Sequence, residues 1–216
     1  MARGAFITIE GGEGVGKTSS LNAIETFLEA RGIAVRMTRE PGGTALGEAV
    51  RDWILDGDHG RLGAEVEALL MFAARAQHIE QLIRPMLAGG TWIVCDRFTD
   101  ATLAYQGGGR GADADWLRSI AAGIEAGLGP DLTLLLDAPV EVGMARIAGR
   151  RHDHFEREAA PFFERVRRCY LDLAEASPER FRVINAGASQ ASVREAIERE
   201  LDSFCERFEA RMKASA

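Results

Sequence analysis

Lysine is almost absent from this sequence. Of 26 basic residues among 216, only Lys17 and Lys213 are lysines, and every other cation is an arginine. A chain that uses guanidinium everywhere else keeps at position 17 a compact ammonium on a flexible stem, the shape that fits between phosphate oxygens where a rigid planar fork does not. Cysteine is scarce as well: Cys95, Cys169 and Cys205 are odd in number, far apart and outside any metal-ligand spacing, so buried or free thiols are expected. No apolar run approaches the ~20 residues that a membrane span needs. Met1-Ala2-Arg3-Gly4 passes directly into the first apolar run without a leader pattern, so a cytoplasmic setting is expected. Positive charge is not in excess, since the formal net charge is −7, which argues against a protein that coats nucleic acid and makes any basic site local. Internal repeats and low-complexity linkers are missing too. With 46% hydrophobic and 27% charged residues, the chain is expected to form one domain over residues 1–216 around a single sizeable core.

What is present is organised around Gly11-Gly12-Glu13-Gly14-Val15-Gly16-Lys17-Thr18, which reads Gly-x-x-x-x-Gly-Lys-Thr. It follows the alternating run Phe6-Ile7-Thr8-Ile9 and precedes helical spacing at Leu21, Ile24, Phe27 and Leu28. In that strand, loop and helix setting the glycines turn backbone N–H groups onto a polyphosphate, and the helix points its positive end at the same anion. Residues 11–18 are therefore the expected ATP contacts, with Lys17 on the outer phosphates and Thr18 on magnesium.

Helical spacing runs from Ser20 to Arg31 and stops at Gly32, and a second strand is expected over Ile33 to Thr38. Ala45 to Leu55 and the long stretch Ala64 to Leu87 read as helices, the latter apolar on two faces, so that a partner subunit is one candidate to cover the second. Trp92 to Cys95, Leu132 to Leu136 and Phe181 to Ile184 are continuous apolar runs of the kind found in parallel strands covered on both sides. Five strands alternating with helices imply an α/β fold with an open parallel sheet, whose ligands gather at the strand carboxyl ends. Glu10, Arg39, Asp96 and Asp137 sit at such ends. Gly107 to Gly111 and Gly149 to His154 are the expected mobile loops, and Val193 to Phe208 a closing amphipathic helix.

Several separate blocks together resemble thymidylate kinase of the bacterial type. They are Ile9 to Thr18, then Thr38-Arg39-Glu40-Pro41-Gly42-Gly43-Thr44, then Asp96-Arg97-Phe98 with Ala104 to Gly111, in that order along the chain. The resemblance implies a P-loop nucleoside monophosphate kinase fold, in which a five-stranded parallel sheet carries a lid over residues 143–158. It also implies transfer of the γ-phosphoryl of ATP to dTMP with Mg2+, and a homodimer.

By the same resemblance, Arg97 and Arg51 clamp the acceptor phosphate with Arg39 at the pocket mouth. Phe72 and Arg75 take the base-stacking and base-reading roles, while Thr102 and Gln106 complete the pocket and Glu10 and Glu13 meet the deoxyribose 3′-hydroxyl. Asp96 joins Thr18 as a metal contact. The family spaces the stacking pair four residues apart; here the spacing is three and Met71 holds the four-back position, which leaves Phe72 either stacking platform or core. A phosphate loop carrying Glu13 takes its catalytic arginine from the lid. Arg146, Arg150, Arg151 and Arg157 are available there, and Arg150 and Arg151 are the two chosen, as a finger acting in cis. Two rivals are a kinase of the same fold for another acceptor and a non-catalytic regulatory ATPase. Thr102, Gln106 and the 39–44 block argue against the first, and the acceptor clamp argues against the second.

Overall fold

The computed structural model describes residues 3–56, 62–149, 155, 156 and 158–214. Five strands form one parallel sheet: β1 (Phe6–Glu10), β2 (Val35–Arg39), β3 (Trp92–Asp96), β4 (Leu132–Asp137) and β5 (Phe181–Asn185), in the order β2-β3-β1-β4-β5. The expected parallel α/β sheet is thus found, with the strand that enters the phosphate loop at its centre. The register sets Ile9 beside both Asp96 and Leu134, and Arg39 beside Asp96. The carboxyl ends of β1, β2 and β3 therefore meet at one edge.

Hydrophobic alternation within the buried strands divides the core between the two faces of the sheet. Ile7, Ile9, Val94, Leu134 and Leu136 pack with Ile24, Phe27 and Leu28 of α1 (Lys17–Glu29) and with Ile197, Leu201 and Phe204 of α9 (Gln190–Ala214). Trp92 meets Phe204 and Phe208 edge-on at 5.7 and 5.2 Å. The opposite face is covered by α2 (Ala45–Asp56), α3 (Ala64–His78), α4 (Arg84–Ala88), α5 (Thr99–Thr102), α6 (Ala114–Glu125), α7 (Val140–Ile147) and α8 (Ala160–Ala176), with Leu135 packing on Phe162, Phe163, Val166 and Tyr170. Among the described residues no helix is long and apolar enough to cross a membrane.

The long helical stretch is continuous but not regular, because a π-helical turn over Ile79–Ile83 joins α3 to α4 and the Arg84 N–H bonds back to the Ile79 carbonyl. The wider turn makes room for Pro85, which lacks an N–H and whose ring would crowd the carbonyl four residues back in a regular helix. One expectation is corrected by this geometry. The glycine run at 107–111 is not a mobile loop: Leu103–Gly109 is a second π-helical segment, and a Cβ at Gly109 would stand 2.5 Å from the Phe162 ring and one at Gly108 2.7 Å from the Cys169 Cβ. The glycines are there because this segment presses its backbone onto α8. Of the two apolar faces of the long helix, that of Phe72 and Ile79 is buried, at 1% and 2% exposed, and the stripe of Val66 and Leu69, at 48% and 50%, is the one left over.

A second close approach holds the phosphate loop. A Cβ on Gly14 would lie 2.0 Å from the Gly143 carbonyl oxygen, and one on Gly143 would lie 2.2 Å from that of Glu13, so α7 and the loop touch backbone to backbone. Gly143→Ala is expected to cost about 1–3 kcal/mol through overpacking and to weaken ATP binding at the same time, as read by the urea midpoint and by calorimetric titration. An unchanged midpoint with unchanged ATP affinity would mean that the contact is slack.

Candidate active site

The central strand hands the chain to the loop with Gly11, Gly14 and Gly16 all at positive φ (138°, 67° and 92°), a path closed to most side chains. Gly16 is the N-cap of α1; no side chain caps that helix and its first turn holds no acidic residue. Its leading N–H groups and dipole are thereby kept for an external anion. Lys17 curls back over the loop, its Nζ donating to the carbonyls of Gly12 at 2.7 Å and Gly11 at 3.1 Å. Burial, together with the neighbouring Arg97, pushes its pKa down, and Glu13, Asp96 and Glu10 oppose that shift.

Opposite the loop stands Arg97. It follows β3 at φ 69°, a left-handed conformation that costs a non-glycine residue on the order of 1 kcal/mol or more. The strained turn swings its guanidinium back over the loop. Nη2 donates to Glu13 Oε1 at 2.6 Å and to the Tyr105 hydroxyl at 3.0 Å, and Nη1 to the Gly11 carbonyl at 3.1 Å and the Tyr170 hydroxyl at 3.2 Å. Tyr105 and Tyr170 are the only tyrosines in the sequence, and both accept from this one arginine while donating to Glu13 and Glu10. Sequence reasoning missed them; their rarity was the signal available.

A cavity of about 470 Å³ opens between the loop and the long helix. Lys17, Thr18, Arg51, Asp96 and Arg97 line its phosphate end, and Met71, Arg75, Phe98, Thr102 and Gln106 its far end. That far end is a buried polar network. Glu40 accepts from Arg75 Nε at 2.7 Å and from His78 Nδ1 at 2.9 Å, and Arg75 Nη2 donates to Thr102 at 3.0 Å. Arg75 Nη1 is buried without a partner. Asp96 Oδ1 is likewise buried and unpartnered at the phosphate end, which marks it as a group that a cation would satisfy. A second cavity of about 670 Å³ borders Val15, Gly16 and Ser19 on the other side of the loop, and Arg146, shared by both openings, donates to the Ala186 carbonyl at 3.0 Å.

The residues expected from the sequence are distributed as follows. Glu13, Lys17, Thr18, Arg51, Arg75, Asp96, Arg97, Thr102 and Gln106 are brought to the main cavity. Phe72 is not: its ring packs with Ala68, Leu103, Leu117 and Ala121, because three-residue spacing from Arg75 turns it inward, and Met71 lines the cavity in its place. Glu10 is corrected as well. It is fully buried, with its oxygens taken by the Phe98 N–H at 2.8 Å and the Tyr170 hydroxyl at 2.8 Å, so it supports the site from beneath and does not line the cavity. Arg39 stands outside the cavity, paired to Glu48 at 2.7 Å on the exposed flank. Arg150 and Arg151 lie outside the described residues.

A thymidylate kinase family model matches residues 9–197. The chain belongs to the thymidylate kinase family. The curated thymidylate kinase of Methylobacillus flagellatus is 51% identical over 196 residues, covering 90% of this chain and 95% of its own. That of Methylococcus capsulatus is 52% identical over 205 residues, covering 94% and 98%. Among solved structures, the thymidylate kinase of Ehrlichia chaffeensis superposes with a TM-score of 0.75 at 32% identity, over 93% of this chain and 99% of that one.

Burial, with the charge of Asp100 adding to it, pushes the Glu10 carboxyl up to about 8, against the pull of Arg97, Tyr170 and the Phe98 N–H. A carboxyl whose pKa is higher folded than unfolded contributes stability that is complete below its unfolded value, near 4.5, and is lost as pH climbs through about 8. Glu10→Gln should therefore gain on the parent as pH rises from about 5 to 8.5, so the difference in melting temperature shifts toward the variant. A constant difference across that range would show that Glu10 does not titrate there.

Proposed function

We propose that the chain transfers the γ-phosphoryl of ATP to dTMP, giving ADP and dTDP on the way to dTTP. The observation that carries this reading is the pairing of two anion sites in one cavity. The glycine loop with Lys17 faces Arg97 and Arg51, and the cavity continues to a closed polar end built for a base edge. An acceptor phosphate oxygen held by Arg97 and Arg51 attacks the γ-phosphorus in line; the new P–O bond forms as the bond to the bridging oxygen breaks, and ADP leaves with that electron pair. The protein does little covalent work here, and positioning plus electrostatics supply the rate. Lys17 stabilises charge on the transferred group, and Glu13, set at the loop beside Arg97, meets the 3′-hydroxyl. The ATP nucleoside extends toward the second cavity beside Arg146 and Ala186.

The orphaned Asp96 Oδ1, with the Thr18 hydroxyl and the nucleotide phosphates, suits Mg2+, an ion usually held by one or two protein oxygens and by phosphate. Among the described residues no three His, Cys, Asp or Glu side chains gather around a common point, which fits an ion that arrives with its nucleotide. Held there by Asp96 and Thr18, it would supply positive charge against the phosphates. The finger arginine is proposed to come from residues 143–158, with Arg150 and Arg151 as its source. One sheet with helices on both faces supports reading the chain as a single domain; a cytoplasmic setting without nucleic acid or membrane rests on the charge and composition of the sequence. A coupled assay of ADP release across a panel of nucleoside monophosphates, with Lys17→Ala as control, tests the reaction. Turnover with dTMP should dominate and vanish in the variant; equal turnover across the panel, or a variant with near-normal activity, overturns the reading.

The same family reading makes the protein a homodimer. Val66, Leu69 and Ala73 recur at i, i+3 and i+7 on the solvent side of α3, and Leu46 and Trp53 add 44% and 39% exposed surface on the adjoining α2. Light scattering at micromolar concentration should give about twice the 23.4 kDa chain mass, and Leu69→Asp should halve it. A monodisperse monomer for the parent would remove the dimer.

A further inference from the structure

Beneath the base end of the cavity lies a charged layer that the reaction does not touch. Glu67 of α3 is fully buried, and its Oε2 accepts from Gln106 Nε2 at 2.9 Å. Arg110 holds the same carboxylate, Nη2 lying 3.2 Å from Oε1 and Nε 3.3 Å from Oε2. Arg110 is itself fixed by an ion pair to Glu158 and by the rings of Phe155 and Phe162, at 5.6 and 5.2 Å from its guanidinium. A carboxylate held by an arginine can only accept hydrogen bonds. The amide of Gln106 therefore has one permitted orientation, its NH₂ toward Glu67 and its carbonyl oxygen toward the cavity that Gln106 lines.

This fixes the polarity of the base site. At the same end of the cavity Arg75 offers donors only, with Nη1 unpartnered, while Gln106 offers an acceptor. A donor beside an acceptor matches the thymine edge, whose O4 accepts and whose N3–H donates. It opposes the cytosine edge, where the 4-amino group donates and N3 accepts. We propose that Glu67 is a specificity-determining positioning residue: by locking the amide of Gln106 through a buried, Arg110-held carboxylate, it sets the enzyme against cytosine nucleotides. This rests on the dTMP reading above, and it adds that pyrimidine selection is controlled from a residue that contacts no substrate.

The probe is 5-methyl-dCMP, which keeps the methyl group, sugar and phosphate of dTMP and changes only the hydrogen-bonding edge. In the parent, kcat/KM should favour dTMP by about a thousandfold or more, since a site built to hydrogen-bond one edge leaves buried groups unpaired with another. Glu67→Gln can donate as well as accept, so the Gln106 amide is free to turn. The dTMP preference should then fall at least about tenfold, carried by KM for dTMP, with kcat and KM for ATP near the parent's. Adding Glu67→Gln to Gln106→Leu should cost nothing further if Glu67 acts only through Gln106. If Glu67→Gln does not fold, the joint change Glu67→Met with Arg110→Met removes the buried pair together and carries the same test. A folded variant that keeps the parent's preference within threefold overturns the inference while leaving dTMP phosphorylation intact. A parent that accepts both nucleotides equally overturns it too, and one that does not phosphorylate dTMP overturns the functional reading as well.

Discussion

The geometry of the site depends on one guanidinium. Arg97 ties the phosphate loop (Gly11 and Glu13), the π-helical segment (Tyr105) and α8 (Tyr170) into a single unit, and through the Tyr170 hydroxyl the tie reaches Glu10 at the end of the central strand. Each contact is charge-assisted or buried, so none is easily given up to water. The left-handed backbone at Arg97 is the cost of bringing the guanidinium there, and the surrounding hydrogen bonds hold it in place. Elements distant in sequence are thereby set at fixed separations around the cavity, and phosphoryl transfer depends more on such positioning than on any one chemical group.

The far end of the cavity follows a different logic. Glu40, Arg75, His78 and Thr102 form a network in which nearly every polar atom is matched, beside a second network of Glu67, Gln106 and Arg110. Buried ion pairs contribute little net stability over apolar residues of the same volume. Their value here is directional, because each leaves specific donors or acceptors facing the cavity and nowhere else.

Much of the fold was legible in the sequence, because strands buried on both faces produce continuous apolar runs and helices produce their own period. That Glu10, Arg39 and Asp96 end strands on the ligand side followed from α/β topology, whereas the order β2-β3-β1-β4-β5 came from the structure. Side-chain direction was harder. Phe72 and Met71 are neighbours on one helix and differ only in the face they present, which was decided by packing against Leu103 and Leu117 from segments further along the chain. Glu10 ends a strand as Asp96 does, yet Tyr170 and Phe98 close over the one and leave the other in the cavity. The glycine run at 107–111 carried the composition of a loop, and only contact with α8 explains why Gly108 and Gly109 end a π-helical segment instead. Contacts between segments far apart along the chain are what single-sequence periodicity cannot encode.

The near absence of lysine has a consequence for covalent chemistry. An amine-directed acylating reagent finds few targets on this chain: the α-amino group, Lys213 in the C-terminal helix, and Lys17 at the centre of the phosphate loop. Burial and the neighbouring arginine depress the basicity of Lys17, so a larger share of it is the free, nucleophilic amine than of an ordinary lysine at the same pH. A nucleotide carrying an acyl phosphate would deliver its electrophile to that amine with hardly a competing side chain. The same composition that made Lys17 conspicuous as a letter in the sequence makes it addressable as a reagent site in the folded protein.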